Sequence, residues 1–195
     1  MTTTEQAAAP TLERQAFYDW PSAFDRAPLW EQLRDGTALR IRSLRAEDEP
    51  ILHDIVAHMS QEDLRLRFFT PVKALTNTAA ARLTQLDPDR ELGLLAERDG
   101  VALAVVHLFA DPDKLRAEFA IAVRSDWQGR GVGYRLMTRL IDIAREGGVG
   151  ELFGAVLREN VSMLQMCRKL GFAFTSDPTD PAVILVRKRL VENYH

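Results

Sequence analysis

Apolar and polar residues along this chain change period several times, and each change predicts an element. Ala38–Leu44 alternates, with Leu39, Ile41 and Leu44 apolar against Arg40, Arg42 and Arg45, as a half-buried strand does. Ala46–Met59 has helical spacing through Ile51, Leu52, Ile55, Val56 and Met59, with acidic residues in its first turn. Ser60-Gln-Glu-Asp63 predicts a capped start for a second helix running to Phe69, and Pro71 stops it. Asn77–Leu86 predicts a third helix. Leu92–Glu97 and Val101–Phe109 are β-rich runs joined by Arg98-Asp-Gly100, which predicts a hairpin. Leu115–Val123 follows as a strand, with Phe119, Ile121 and Val123 on one face and Glu118, Ala120 and Ala122 on the other.

Beyond a glycine-rich loop, Gly133–Glu146 places Leu136, Met137, Leu140, Ile143 and Ala144 on one helical face, ended by Gly147-Gly148. A strand at Glu151–Leu157, a helix at Asn160–Leu170 closed by Gly171, and strands at Phe172–Thr175 and Ala182–Arg189 complete the order. The fold class expected is mixed α/β. The helix between Leu115–Val123 and Glu151–Leu157 makes those two strands parallel if they share a sheet. Met1–Thr11 is small and polar and is expected to be disordered. Leu12–Asp35 carries Phe17, Tyr18, Trp20, Phe24 and Trp30, an aromatic density suited either to an arm packed on the main domain or to a partner contact. The division expected is an N-terminal arm over 1–36 and one domain over 37–195.

Composition narrows the function classes. The 195 residues suffice for one domain with a sizeable core. A net charge of −3 does not suggest a nucleic-acid partner, whose binders usually show a basic face, though a mildly acidic total leaves room for a local basic patch. No apolar stretch is long enough to span a bilayer and no secretory leader is present, so a cytoplasmic location is expected, with no membrane partner. Cys167 is the single cysteine, and His53, His58, His107 and His195 are scattered, so no metal-ligand spacing exists and no metal is expected.

The chemical signal is Arg124-Ser-Asp-Trp-Gln-Gly-Arg-Gly-Val-Gly-Tyr134, which leaves a strand and opens a helix. Gly129, Gly131 and Gly133 let the backbone approach a ligand closely. The first N–H groups of the following helix have no internal partner and favour negative charge. Together they predict a phosphate or pyrophosphate cradle, with Arg124 and Arg130 as side-chain helpers. The glycine spacing does not fit a dinucleotide fingerprint, because the sixth position from Gly129 is Tyr134, and a Walker A lysine is absent.

These residues carry a resemblance to the GNAT acyltransferase superfamily. Gln128-Gly-Arg-Gly131-Val-Gly133 matches its central motif, Ala120-Ile-Ala-Val123-Arg124 its preceding strand, and Asn160 with Lys169-Leu-Gly-Phe172 its later helix. The resemblance spans roughly Leu39–Arg189. It implies a GNAT-type fold, a central mixed sheet whose two parallel strands splay apart, flanked by helices. It also implies acetyl-CoA as cosubstrate. The pantetheine arm would run along Ile121, Ala122 and Val123. The pyrophosphate would lie on Gln128, Gly129, Arg130, Gly131, Val132, Gly133 and Tyr134, and Asn160 would touch the pantetheine side.

Glu47-Asp48, Ser60–Phe69 and Ala117-Glu-Phe-Ala120 are similar to a narrower group, the acyltransferase domain of bacterial Pat-type protein lysine acetyltransferases. That likeness implies Glu118 as general base and the lysine of a protein, such as an acyl-CoA synthetase, as acceptor. A small-molecule amine N-acetyltransferase or a non-catalytic acyl-CoA sensor would share the same CoA residues. Where many members of the superfamily carry a tyrosine as acid for the leaving thiolate, this chain has Cys167. Its most economical role is that of a small buried helix residue. Arg65 and Arg67 either line the acceptor side of the second helix or solvate it. Trp127 packs at the loop, and Met163 and Met166 belong to the core of their helix.

Overall fold

The computed structural model describes residues 28–190. Met1–Thr11 and the aromatic residues Phe17, Tyr18, Trp20 and Phe24 lie outside the described residues.

Eight strands form one open sheet. They are β1 (Leu29–Gln32), β2 (Ala38–Ser43), β3 (Glu91–Arg98), β4 (Val101–Ala110), β5 (Arg116–Val123), β6 (Glu151–Leu157), β7 (Ala173–Ser176) and β8 (Val183–Arg189). Their spatial order is β1-β2-β3-β4-β5-β6-β8-β7. All neighbours run antiparallel except β5 and β6, which are parallel across the expected helical crossover. The helices are α1 (Glu49–Ala57), α2 (Gln61–Phe68), α3 (Asn77–Thr84), α4 (Val132–Glu146) and α5 (Val161–Lys169).

Alternation along the central strands gives the sheet two apolar faces, which explains the near-continuous burial of β3 and β4. One face meets α4 through Leu136, Met137, Leu140 and Ile143, together with Phe119 and Val106. The other meets α1, α2 and α3 through Leu52, Ile55, Leu64 and Ala80, with Leu95, Val105 and Ala122 below them. Ala122 and Phe119 therefore face opposite cores, as the strand periodicity predicts.

Two elements differ from the sequence expectation. The helix expected over Ala46–Met59 is a short 3-10 turn, Ala46–Asp48, followed by α1, with Pro50 in its first turn. Asp48 is buried there, accepting two hydrogen bonds from Arg42 at 2.6 and 3.0 Å and one from the Arg45 N–H at 2.8 Å. Its place in the chain is set by this structural ion pair, which also ties β2 to α1. Second, β1 lies within the segment expected to be an arm, so the sheet begins before residue 37. Its inward positions are Leu29 and Glu31, and Glu31 pairs with Arg135 of α4 at 3.6 Å. An acid on the inner face hides the alternation, and backbone pairing with β2 supplies the strand.

Candidate functional site

The parallel pair β5–β6 makes the opening for the site. Its register runs Arg116↔Glu151, Ala117↔Leu152, Glu118↔Phe153 and ends there. Both strands continue, β5 to Val123 and β6 to Leu157, so they part beyond Glu118. From Phe119 to Val123 the edge of β5 facing β6 carries no ladder partner. Unpaired strand backbone of this kind can accept an extended ligand as an added strand.

The loop after β5 leads to the start of α4. Gly129 and Gly131 have φ of +73° and +96°, a backbone conformation that side chains disfavour. Gly131 is the residue that begins α4, and the first bond into the helix is from Arg135 N–H to the Gly131 carbonyl at 3.0 Å. The N–H groups of Val132, Gly133 and Tyr134 precede that bond and are left for a ligand. A Cβ on Gly133 would stand 3.3 Å from Val123 Cγ2 and 3.6 Å from Ile121 Cδ1, so glycine here keeps helix and strand close. These features fit a negatively charged, elongated ligand: a pyrophosphate at the helix start and an arm along β5.

One cleft of ≈ 880 Å³ joins these parts. Of the residues singled out from sequence, Glu118, Ile121, Ala122 and Val123 line it from β5. Gln128, Gly129, Arg130, Gly131, Gly133 and Tyr134 line it from the loop and helix start, and Asn160 from the start of α5. Asn160 uses its side-chain carbonyl to cap α5, accepting from the Met163 N–H at 3.1 Å. The side chain of Val132 is buried in the core, so only its backbone can serve a ligand. Arg124 is not among the cleft-lining residues. Its guanidinium is engaged by Asp126 at 3.2 Å and Asp54 at 3.5 Å, which removes it from the expected phosphate role. Arg130 stacks on Trp127, 4.7 Å from the ring centroid, and Arg98 covers the same ring at 5.6 Å.

Helix α2 also lines the cleft and is tied to the loops that lead into α4 and α5. The Ser60 hydroxyl caps it by accepting from the Asp63 N–H at 3.1 Å, and the Ser60 N–H donates to Ser125 Oγ at 2.7 Å. Ser125 Oγ in turn donates to Asp63. Burial alone would raise the Asp63 pKa, but hydrogen bonds from Ser125, Ser60 and Gln128 outweigh it and hold the carboxyl below its ordinary range. Arg65 bridges from α2 to Glu159, just before Asn160, at 2.7 Å and also binds Glu62. Arg65 thus acts as a strut, whereas Arg67 lines the cleft with Met59, Leu66 and Phe69.

Glu118 lies at the point where the strands part, exposed to the cleft and facing Arg67 electrostatically. Cys167 is fully buried, and that burial pushes its thiol up to about 12. It is absent from the cleft lining, as its reading as a buried helix residue requires. Sequence reasoning missed Leu33 and Arg34, which reach the loop side of the cleft from just beyond β1. Their segment carried no motif, and only the pairing of β1 with β2 brings it there. Among the described residues no group of three His, Cys, Asp or Glu side chains could hold a metal ion, and no helix is long and apolar enough to cross a membrane.

Comparison with known proteins agrees with this geometry. The family model for the Acetyltransferase (GNAT) family matches residues 54–172. Acetyltransferase PA5475 of Pseudomonas aeruginosa is 27% identical over 164 residues, covering 82% of this chain and 88% of its own length. Among solved structures, the GNAT domain of S. lividans PAT superposes with a TM-score of 0.78 at 27% identity, covering 84% of this chain and 97% of that one. The Salmonella typhimurium protein yncA, described as a putative acetyltransferase and solved with its cofactor acetyl-CoA, shares the fold at 19% identity. Its TM-score is 0.57, and the match covers 80% of this chain and 96% of its own.

Proposed function

Because the chain belongs to the GNAT acetyltransferase family, we propose that it uses acetyl-CoA to acetylate lysine side chains of protein substrates, such as acyl-CoA synthetases, by direct attack on the thioester. One observation carries this reading. Glu118 stands where β5 and β6 part, in the same cleft as the free strand edge and the exposed start of α4. The likeness to the GNAT domain of S. lividans PAT over nearly the whole of that domain supports a protein lysine as acceptor.

When bound, acetyl-CoA supplies an acetyl thioester whose carbonyl carbon is attacked by the acceptor amine, giving an amide and free CoA. The residues of this chain do the rest. The N–H groups at the start of α4 would hold the pyrophosphate, and the free edge of β5, in the same cleft as Glu118, would hold the pantetheine arm. A lysine amine has a reference pKa of about 10.4, so only about 0.1% is neutral at pH 7.4. The Glu118 carboxylate takes the ammonium proton within the cleft and so raises the fraction able to attack. Cys167 neither attacks nor donates a proton, because its thiol is sealed in the core. The departing thiolate has an ordinary pKa near 8.5 and leaves without a dedicated acid.

Incubation with radiolabelled acetyl-CoA and a cell lysate, followed by identification of labelled proteins, tests this assignment. A labelled lysine on a protein, an acyl-CoA synthetase above all, is the expected result. Label confined to small molecules would place the chain among small-molecule amine N-acetyltransferases. Tight acetyl-CoA binding with no label transferred to any acceptor would make it a sensor.

A further inference from the structure

Of the other arginines that line the cleft, Arg34 and Arg130 are exposed to solvent and Arg135 pairs with Glu31. Arg67 makes no hydrogen bond and no ion pair among the described residues, and its Nε is sealed from solvent with no partner. Burial works against its charge, and Glu118 is the acid whose field supports it. Its guanidinium carbon lies 5.0 Å from the centroid of the Phe68 ring. A guanidinium offers five N–H donors in a planar fork that matches a carboxylate. Enclosing one without a partner destabilises a fold, so a protein that keeps it there has a use for the unmet charge.

We propose that Arg67 is the receptor for a carboxylate on the acceptor molecule, carried close to the amine that is acetylated. The proposal rests on the acyl-transfer reading of the cleft. Arg67 and Glu118 line the same cleft, with apolar walls from Met59, Leu66 and Phe69. An acceptor with its amine at Glu118 and its carboxylate at Arg67 would lay its carbon skeleton on those walls. Two sources carry this chemistry: the α-carboxylate of a free amino acid, and an acidic side chain beside an acceptor lysine in a protein. In either case the fork of Arg67 makes two parallel charge-assisted hydrogen bonds that an amide analogue cannot reproduce.

The test compares four acceptors: L-leucine, L-leucinamide, and two N-acetylated peptides in which a single lysine is followed by Glu or by Gln. Steady-state kinetics are measured with the wild type, Arg67→Gln and Arg67→Lys. The amine of leucinamide is less basic than that of leucine, so a preference for the acid cannot arise from amine ionisation. In at least one pair the wild type should prefer the carboxylate by about 10- to 100-fold in kcat/KM, chiefly through KM. Arg67→Gln should abolish that preference, and Arg67→Lys should restore part of it. Calorimetric titration of the same compounds into CoA-saturated protein makes the comparison without turnover. Arg67→Gln should melt no lower than the wild type, since it removes a part-buried charge with no ion pair among the described residues.

Three results would overturn the proposal. The first is equal use and equal binding of acid and amide by the wild type. The second is a preference that survives in Arg67→Gln. The third is an equal loss of kcat for all acceptors with a shifted pH profile, which would make Arg67 a partner of Glu118 instead. Transfer to leucine alone, governed by Arg67, would sink the protein-lysine assignment and leave the carboxylate receptor standing. Transfer to both lysine peptides at equal rates would do the reverse.

Discussion

Replacing Gly131 with alanine separates the backbone's share of ligand binding from everything else in the cleft. Gly131 begins α4 at φ +96°, and the nearest atom to an added Cβ is Leu33 Cδ2 at 3.8 Å, an ordinary contact. The substitution therefore causes no clash, and its whole effect is conformational. An L-residue in that region costs about 1–2 kcal/mol. A domain of this size is stable by roughly 5–15 kcal/mol, so the variant stays folded, with a melting temperature lower by about 2–8 °C. Relaxing the strain turns the peptide planes that aim the N–H groups of Val132 and Gly133 out of the helix. Losing one charge-assisted hydrogen bond to a phosphate costs about 1.5–3 kcal/mol, which is about 10- to 100-fold in affinity. Gly148, at φ +79° beyond the other end of α4, provides the control. Gly148→Ala carries similar strain but should leave acetyl-CoA binding unchanged. Calorimetric titration with acetyl-CoA, alongside thermal melts, reads both effects. Gly131→Ala binding within about twofold of the wild type, or an equal loss in Gly148→Ala, would refute the helix-start cradle.

Other outcomes follow from the same geometry. Burial pushes the His107 imidazole down to about 4 from 6.5, with its Nε2 2.9 Å from the Leu83 carbonyl. The unfolded chain then binds more protons between those values, so stability that is full above about pH 6.5 falls by up to about 3 kcal/mol as pH drops toward 4. His107→Gln should flatten that limb in urea melts at pH 7.5 and 4.5, and an unchanged slope would contradict the assignment. Cys167→Ala should cost about 1 kcal/mol of stability and leave acetyl transfer intact. A drop in transfer beyond about tenfold would instead indicate an acetyl-cysteine step.

Local pattern made much of the fold legible. Alternation located β2 and β5, β-rich runs around an Asp-Gly turn located β3 and β4, a 3.6-residue period located α4, and the glycine spacing located the loop between β5 and α4, because each depends on residues close in sequence. Features set by distant parts of the chain were not legible. Glu31 on the inner face of β1 finds Arg135 only once α4 has packed on the sheet. Arg124 looked free for phosphate because Asp54, which shares it with Asp126, lies 70 positions earlier. The joint from Ser60 and Asp63 to Ser125, and the strut from Arg65 to Glu159, cross similar distances. The register of β5 on β6 decides that the strands part at Glu118, and no residue of either strand announces it. Arg67 resembled Arg65 in sequence, and only the fold leaves one bonded and the other unmet.

The proposed role of Glu118 is that of base in a cleft whose other groups would hold acetyl-CoA. The direct test is the single-turnover rate of acetyl transfer by Glu118→Gln, preloaded with acetyl-CoA under conditions where binding is verified by titration. With Glu118 as the base, affinity should stay within about twofold of the wild type and the transfer rate should fall by about 10²- to 10⁴-fold at neutral pH. A rate close to that of the wild type would remove Glu118 from the chemistry and contradict the mechanism.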